Sequence, residues 1–151
     1  MNNLKNMICR FIKNGDGSAN NIDISIEERE GQDIIIFIYR NMIQFQIFIP
    51  NESAIKGYII YAIPRCYINS ELVFNATMVL NAFNCWATGV NSGIYEDNGA
   101  IWFKCARFSH EEIMEYEFES DFRRVLNYCW HNMPTIMDKI QNGIVRSLDF
   151  S

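Results

Sequence analysis

Apolar residues recur at spacings of three and four from Leu4 through Met7, Ile8 and Phe11 to Ile12, which puts one oily stripe on a short helix over residues 2–14. Asn14-Gly15-Asp16-Gly17-Ser18 stops it. From Ile22 the period drops to two: Ile22, Ile24 and Ile26 alternate with Asp23, Ser25 and Glu27, as on a strand with one wet face, and Gly31 marks the turn. Residues 33–40 are nearly continuous Ile and Phe, the pattern of a central strand covered on both faces or of one lying in an interface, with Asn41 as the next turn residue. Met42 to Ile49 alternates again, with Ile43, Phe45, Ile47 and Ile49 on one side and Met42, Gln44, Gln46 and Phe48 on the other, until Pro50 closes the strand. A β-branched and aromatic run from Gly57 to Ile63 ends at Pro64, because proline has no N–H to give to a ladder. The pattern leaves residues 51–63 open between strand and loop.

Asn69 or Ser70 can cap the next element, a helix in which Leu72, Ala76, Val79, Leu80 and Phe83 return at helical spacing and which Gly89 ends. Ile94-Tyr95 and the run from Ala100 to Phe108 flank Asp97-Asn98-Gly99, so they pair as a hairpin, with Asn98-Gly99 supplying the positive backbone angles of a tight primed turn. Ser109-His110-Glu111-Glu112 has the form of a capping box and opens a long helix with acids in its first turns. The core stripe of that helix is Ile113, Phe118, Phe122, Val125, Leu126 and Cys129. It continues past a kink or break at Pro134 through Ile136, Met137 and Ile140 to a cap at Gly143. The order reads α-β-β-β-(β)-α-β-β-α. That is an α+β chain, one domain over residues 1–151, with an antiparallel sheet of five or six strands packed by helices as a two-layer sandwich.

Charge narrows the functional classes more than composition does. A formal charge of −5 speaks against a nucleic-acid partner, since neutralising phosphates needs clustered Lys and Arg, and the nearest approach to a cluster is Arg123-Arg124. Cysteines at 9, 66, 85, 105 and 129 form no Cys-x-x-Cys pair and no short Cys/His ladder, so no metal centre, redox dithiol or other cofactor is expected. Their odd number, the lack of an N-terminal apolar signal segment and the lack of a long uncharged apolar run indicate a reducing cytoplasm and no membrane span.

At Leu80-Asn81-Ala82-Phe83-Asn84 through Gly93-Ile94-Tyr95-Glu96-Asp97-Asn98-Gly99 the chain resembles the YbjN family, which shares the type III secretion chaperone-like fold. The matching features are the Asn-x-x-Asn near the end of the packing helix, the acidic-Asn-Gly turn, and a C-terminal helix interrupted by proline. The resemblance implies a two-layer sandwich that often dimerises and binds protein segments, in a regulatory or chaperone role without an active site. A short first helix and an unusually apolar second strand depart from that pattern and bear on the dimer surface.

Candidate chemistry is sparse. Asn81 and Asn84, three apart on one helix face, can reach the backbone of the adjoining hairpin or a bound peptide. Met42 and Phe48 share a strand face with two glutamines, which fits a half-wet contact surface or second-layer packing; Tyr58, Tyr61, Tyr67 and Trp102 extend such a surface or belong to the core. Cys129 and His131 lie two apart on a helix and do not face each other, so they make a poor nucleophile and base. The acids Glu111, Glu112, Glu115, Glu117, Glu119 and Asp121 lack a calcium-loop pattern and read as a solvated helix face. The reading that follows is a non-enzymatic binding protein, a homodimer, taking an extended or helical segment of another protein along an apolar groove or an Ile-rich sheet edge. An enzyme or small-molecule binder with a pocket between helix and sheet, and an acidic toxin inhibitor, are the alternatives.

Overall fold

A computed structural model describes residues 3–14, 23–51, 54–86 and 89–143. The chain-stopping run at 15–18 and Ile22 lie outside the described residues. Helix α1 (Asn3–Asn14) leads into strands β1 (Ser25–Arg29), β2 (Gln32–Tyr39), β3 (Ile43–Pro50) and β4 (Lys56–Pro64). A 3-10 turn (Ser70–Leu72) then opens α2 (Val73–Trp86), followed by β5 (Asn91–Ile94), β6 (Ile101–Ser109) and α3 (Glu115–Asp138), whose last turns widen into a π-helix (Lys139–Gly143). The result is an α+β sandwich with one six-stranded sheet, every neighbouring pair antiparallel, in the order β1-β2-β3-β4-β6-β5. Within the segment left open in the sequence, residues 56–63 belong to a strand, β4, which sits near the middle of the sheet.

Turn chemistry sets the register. Glu30 and Gly31 both take positive φ (36° and 80°), the left-handed pair that a two-residue hairpin requires, and this pairs Arg29 with Gln32. Arg40 and Asn41 repeat the device at φ 49° and 57°. Met42 belongs to that turn, donating its N–H to the Tyr39 carbonyl at 3.0 Å, and so is not part of the strand where alternation had put it. The β5–β6 hairpin forms, but its loop is not the tight primed turn. It runs from Tyr95 to Ala100, Gly99 (φ 75°) donates back to the Tyr95 carbonyl, and Asn98 Oδ1 accepts the Ala100 N–H. Glycine is needed at 99 because the Ile68 carbonyl approaches so closely that a Cβ would collide with it.

Two helix ends also differ from the sequence expectation. Ser109 Oγ accepts the Glu111 N–H at 3.0 Å in a local turn, and the helix waits until Met114, whose N–H is held by Glu117 Oε1 at 3.1 Å. Ile113 is buried ahead of the helix and not within it. Asn69 precedes the 3-10 turn without a side-chain cap; its carbonyl receives the Leu72 N–H instead. At Pro134 the α-helix runs on, and the wider i→i+5 geometry begins only at Lys139.

All three helices pack on one face of the sheet. Phe11 of α1 meets Phe118 and Phe122 of α3 edge-on at 5.4 and 6.0 Å, and Phe122 lies 4.8 Å from Phe45 and 6.2 Å from Phe37 on the sheet. Ala76, Val79 and Leu80 of α2 join the same core, and Tyr128 of α3 packs on Phe103 at 5.7 Å. Within this layer lies a polar clamp. Tyr58 donates to Asp121 Oδ2 at 2.5 Å, and Arg107 grips both Asp121 oxygens (2.7 and 3.2 Å) while its third nitrogen reaches Glu117 at 2.8 Å. Asp121 is 1 % exposed. A carboxylate taken out of water at this depth is tolerable only because three donated hydrogen bonds replace its hydration. Burial, and then the bond to Asp121, push the Tyr58 phenol far above its usual range, so it remains a donor.

Asp121→Ala leaves the buried Tyr58 phenol without its acceptor and Arg107 with Glu117 alone, and urea melting is expected to show a loss of about 1–3 kcal/mol. Glu119→Ala, which breaks an exposed pair with Arg123 on the same helix, is expected to cost under about 0.5 kcal/mol. Equal losses would show that the clamp holds nothing.

Candidate functional site

With every helix on one side, the alternation of each strand assigns the other side of the sheet residue by residue. Registered pairing puts Ile34, Ile36 and Ile38 of β2 beside Phe48, Gln46 and Gln44 of β3, then Ile59, Tyr61 and Ile63 of β4. Lys104 and Ala106 of β6 lie beside Tyr61 and Ile59, and Trp102 beside Gly93 of β5. No described helix lies over this face. Ile38 is 36 % exposed and Phe108, at its rim, 53 %; Ile36, Phe48, Ile59, Tyr61, Ile63 and Trp102 are half-buried, and Ile34 is 1 % exposed.

The aromatic half of the face is ordered. Phe48 stands edge-on to Tyr61 at 5.4 Å, Tyr61 edge-on to Trp102 at 5.9 Å, and Trp102 lies 6.4 Å from Tyr95. Lys104 Nζ sits 5.4 Å from the centre of the Trp102 ring. Two glycines make this possible. The Trp102 ring covers Gly93 and the Phe108 ring covers Gly57, in each case where a Cβ would collide with the ring. Cross-strand glycine gives the ring a flat seat, so these side chains are held in place before anything binds.

Phe48 and Trp102 therefore share one surface, whereas Met42, 55 % exposed, sits in the turn at its end. Tyr58 belongs to the clamp on the opposite side. The two asparagines also separate. Asn84 bridges α2 to β5, its Nδ2 donating to the Ser92 carbonyl at 2.8 Å and its Oδ1 accepting the Ser92 N–H and hydroxyl at 2.6 and 2.8 Å. Asn81 is exposed. The face was only partly legible in the sequence: the outward Phe48 with its glutamines signalled it, but the isoleucines at 34, 36 and 38 sit in a run so apolar that neither side of the strand could be named outward.

The sheet edges are poor docking strands. The Ile-rich β2 and β3 are interior, paired on both sides, and the edges are β1, with Glu27, Glu28 and Arg29, and the four-residue β5. Short charged edges discourage strand addition. The acidic run is likewise broken up: Asp121 and Glu117 are tied to Arg107 and Glu119 to Arg123, which corrects the reading of a solvated face and leaves Glu111, Glu112 and Glu115 exposed.

Other chemistry lies apart from this face. Cys129 is buried and His131 exposed; burial, with Cys66 nearby, pushes the Cys129 thiol up to about 12, so it stays protonated at neutral pH. Among the described residues no three His, Cys, Asp or Glu side chains gather as metal ligands would, and no helix is long and apolar enough to cross a membrane. A cleft of about 1130 Å³ opens between the first turns of α1, the ends of β2 and β3, and the segment leading into α3. Asp33 lines it, 4 % exposed, with Oδ2 3.4 Å from Lys5 Nζ and Oδ1 without a hydrogen-bond partner.

Asn84→Ala strands the Ser92 N–H and hydroxyl, so thermal or urea unfolding is expected to show about 1–3 kcal/mol of destabilisation. Asn81→Ala is expected to leave stability within about 0.5 kcal/mol. A stability-neutral Asn84→Ala would count against the bridge.

The chain matches no protein-family model and no curated protein.

Proposed function

We propose that this is a non-enzymatic protein-binding module, with the chaperone-like or regulatory role that a resemblance to YbjN and type III secretion chaperones implies, and that its working surface is the helix-free face of the sheet. One observation carries the reading: a largely apolar face built from four strands, two of its aromatic rings seated on glycines, with no described helix laid across it. Its four strands, about 4.8 Å apart and each eight or nine residues of about 3.3 Å, outline roughly 500 Å². That is the size of the largest apolar patch on a typical monomer, roughly 300–600 Å², and a patch of this kind is often functional.

Incorporation of a photo-crosslinking amino acid at Phe48 is expected to join the chain to protein in its native cell, while the same group at Glu119 on the helix side gives little product. Equal yields from the two positions, or none from Phe48, would remove the face as the working surface.

A second reading, a small-ligand site in the cleft, rests on the orphan Oδ1 of Asp33. A buried carboxylate oxygen without a donor calls for an N–H, an O–H or a water. If a small molecule supplies it, primary amines at millimolar concentration raise the melting temperature of the wild-type protein and not of Asp33→Asn; unchanged melting in both would assign the oxygen to water.

A further inference from the structure

We infer that the cleft between α1 and the start of α3 takes a small zwitterion, a linear amino acid whose ammonium lies against Asp33 and whose carboxylate lies against Lys56. This rests on the second reading above, a ligand site at Asp33, and names the chemical class of the ligand. Two features of the strand register carry it, together with the charge of the walls.

The first is a pair of acids. Asp33 stands on the helix-covered side of β2, in line with Ile35 and Phe37, and its cross-strand partner is Glu28 of β1, so the two carboxylates project to the same side from adjacent positions. Like charges directly opposite each other destabilise a sheet. Among the described residues one ammonium answers them, Lys5 of α1, whose Nζ is 3.4 Å from Asp33 Oδ2, longer than the roughly 2.7–2.9 Å of a charge-assisted hydrogen bond. Asp33 Oδ1 keeps no donor, and Glu28 forms no ion pair among the described residues. A buried carboxylate in this setting calls for a better-placed cation with N–H groups to give. Oδ1 is shielded from water, so the ammonium of a ligand reaches it as the Lys5 side chain, 25 % exposed on a flexible stem, turns aside.

The second is a base at a matching distance. Lys56 alternates with Tyr58 and so projects to the same side of the sheet from β4, two strands from β2 and roughly 10 Å across. It lines the same cleft, is exposed, and forms no ion pair among the described residues. Between the two charges β3 ends in Ile49-Pro50, with Ile49 directly opposite Asp33, and both residues line the cleft. An ammonium and a carboxylate joined by several methylenes therefore meet acid, apolar step and base in turn.

The walls select against ions of one sign. Arg10 of α1 adds a base to the lining, while Glu112 and Glu115, where the chain enters α3, add acids. A simple anion meets the carboxylates and a polyamine meets the cations, whereas a zwitterion sets each of its charges against the opposite one.

Calorimetric titration of the full chain with ε-aminocaproate, up to about 10 mM, is expected to show saturable binding, with hexylamine and hexanoate each at least about tenfold weaker. Asp33→Asn, which keeps the shape of the side chain, is expected to weaken ε-aminocaproate at least about tenfold. Lys56→Gln, at an exposed position, is expected to weaken it about threefold to fivefold, the scale of one exposed ion pair, and to leave hexylamine unchanged. Unchanged affinity for ε-aminocaproate in Lys56→Gln would overturn the proposal, and this variant decides the matter if Asp33→Asn fails to fold. Hexylamine that binds as tightly as ε-aminocaproate and loses its affinity in Asp33→Asn would overturn the zwitterion and leave the ligand site at Asp33 standing. No binding of any of the three compounds to the wild type would end both.

Discussion

Strands β2 and β4 of this protein are apolar on both sides, and every described helix packs on one of them. β2 carries Ile35, Phe37 and Tyr39 inward and Ile34, Ile36 and Ile38 outward; β4 carries Tyr58, Ile60 and Ala62 inward and Ile59, Tyr61 and Ile63 outward. The inward set is closed by α1, α2 and α3 and accounts for the stability of the fold. The outward set lies under no described helix, and its exposure runs from Ile34, 1 %, to Ile38, 36 %. From this imbalance follow the aromatic cluster on its glycine seats, the scarcity of charge around it, and the case for a second layer supplied from outside.

The covered side depends on α3. Its Phe118 and Phe122 key into aromatic rings of α1 and the sheet, and Asp121, on the turn between them, receives Tyr58 and Arg107. Apolar packing of this kind is tolerant of sliding, whereas a bidentate guanidinium and a phenol on one buried carboxylate fix a single register. The clamp thus positions the helix layer on one side of the sheet. The clamp lies on the inward side of the sheet, apart from the outward surface.

Periodicity was enough to read elements with a single oily stripe. α1 begins and ends within a residue or so of the prediction, α2 buries Ala76, Val79 and Leu80 as its spacing requires, and Gly31, Asn41 and Gly99 all take left-handed backbone. Reading failed where competing local motifs fit one stretch. Ser109-His110-Glu111-Glu112 satisfies a capping-box pattern, yet Ser109 completes strand β6 and the true cap is Met114 with Glu117, because Ile113 must first be buried. Asp97-Asn98-Gly99 satisfies a tight-turn pattern, but the Ile68 carbonyl occupies the space and draws the loop out to Tyr95. Asp121 read as one more solvated acid because its partners, Tyr58 and Arg107, are 63 and 14 residues away.

What the sequence determined alone was local: the kinds and order of the elements, the α+β class, and the inward residues of every amphipathic segment, since these follow from spacing along a single chain. The tertiary structure decided everything that depends on neighbours distant in sequence. It placed the Ile-rich strands in the interior with charged, shortened strands at the edges, set the described helices on one side, and so divided the apolar run at 34–39 into a helix-covered row and a row on which exposure rises from Ile34, 1 %, to Ile38, 36 %. A strand's alternation says that it has two faces; only the elements packed against it say which face is left for a partner.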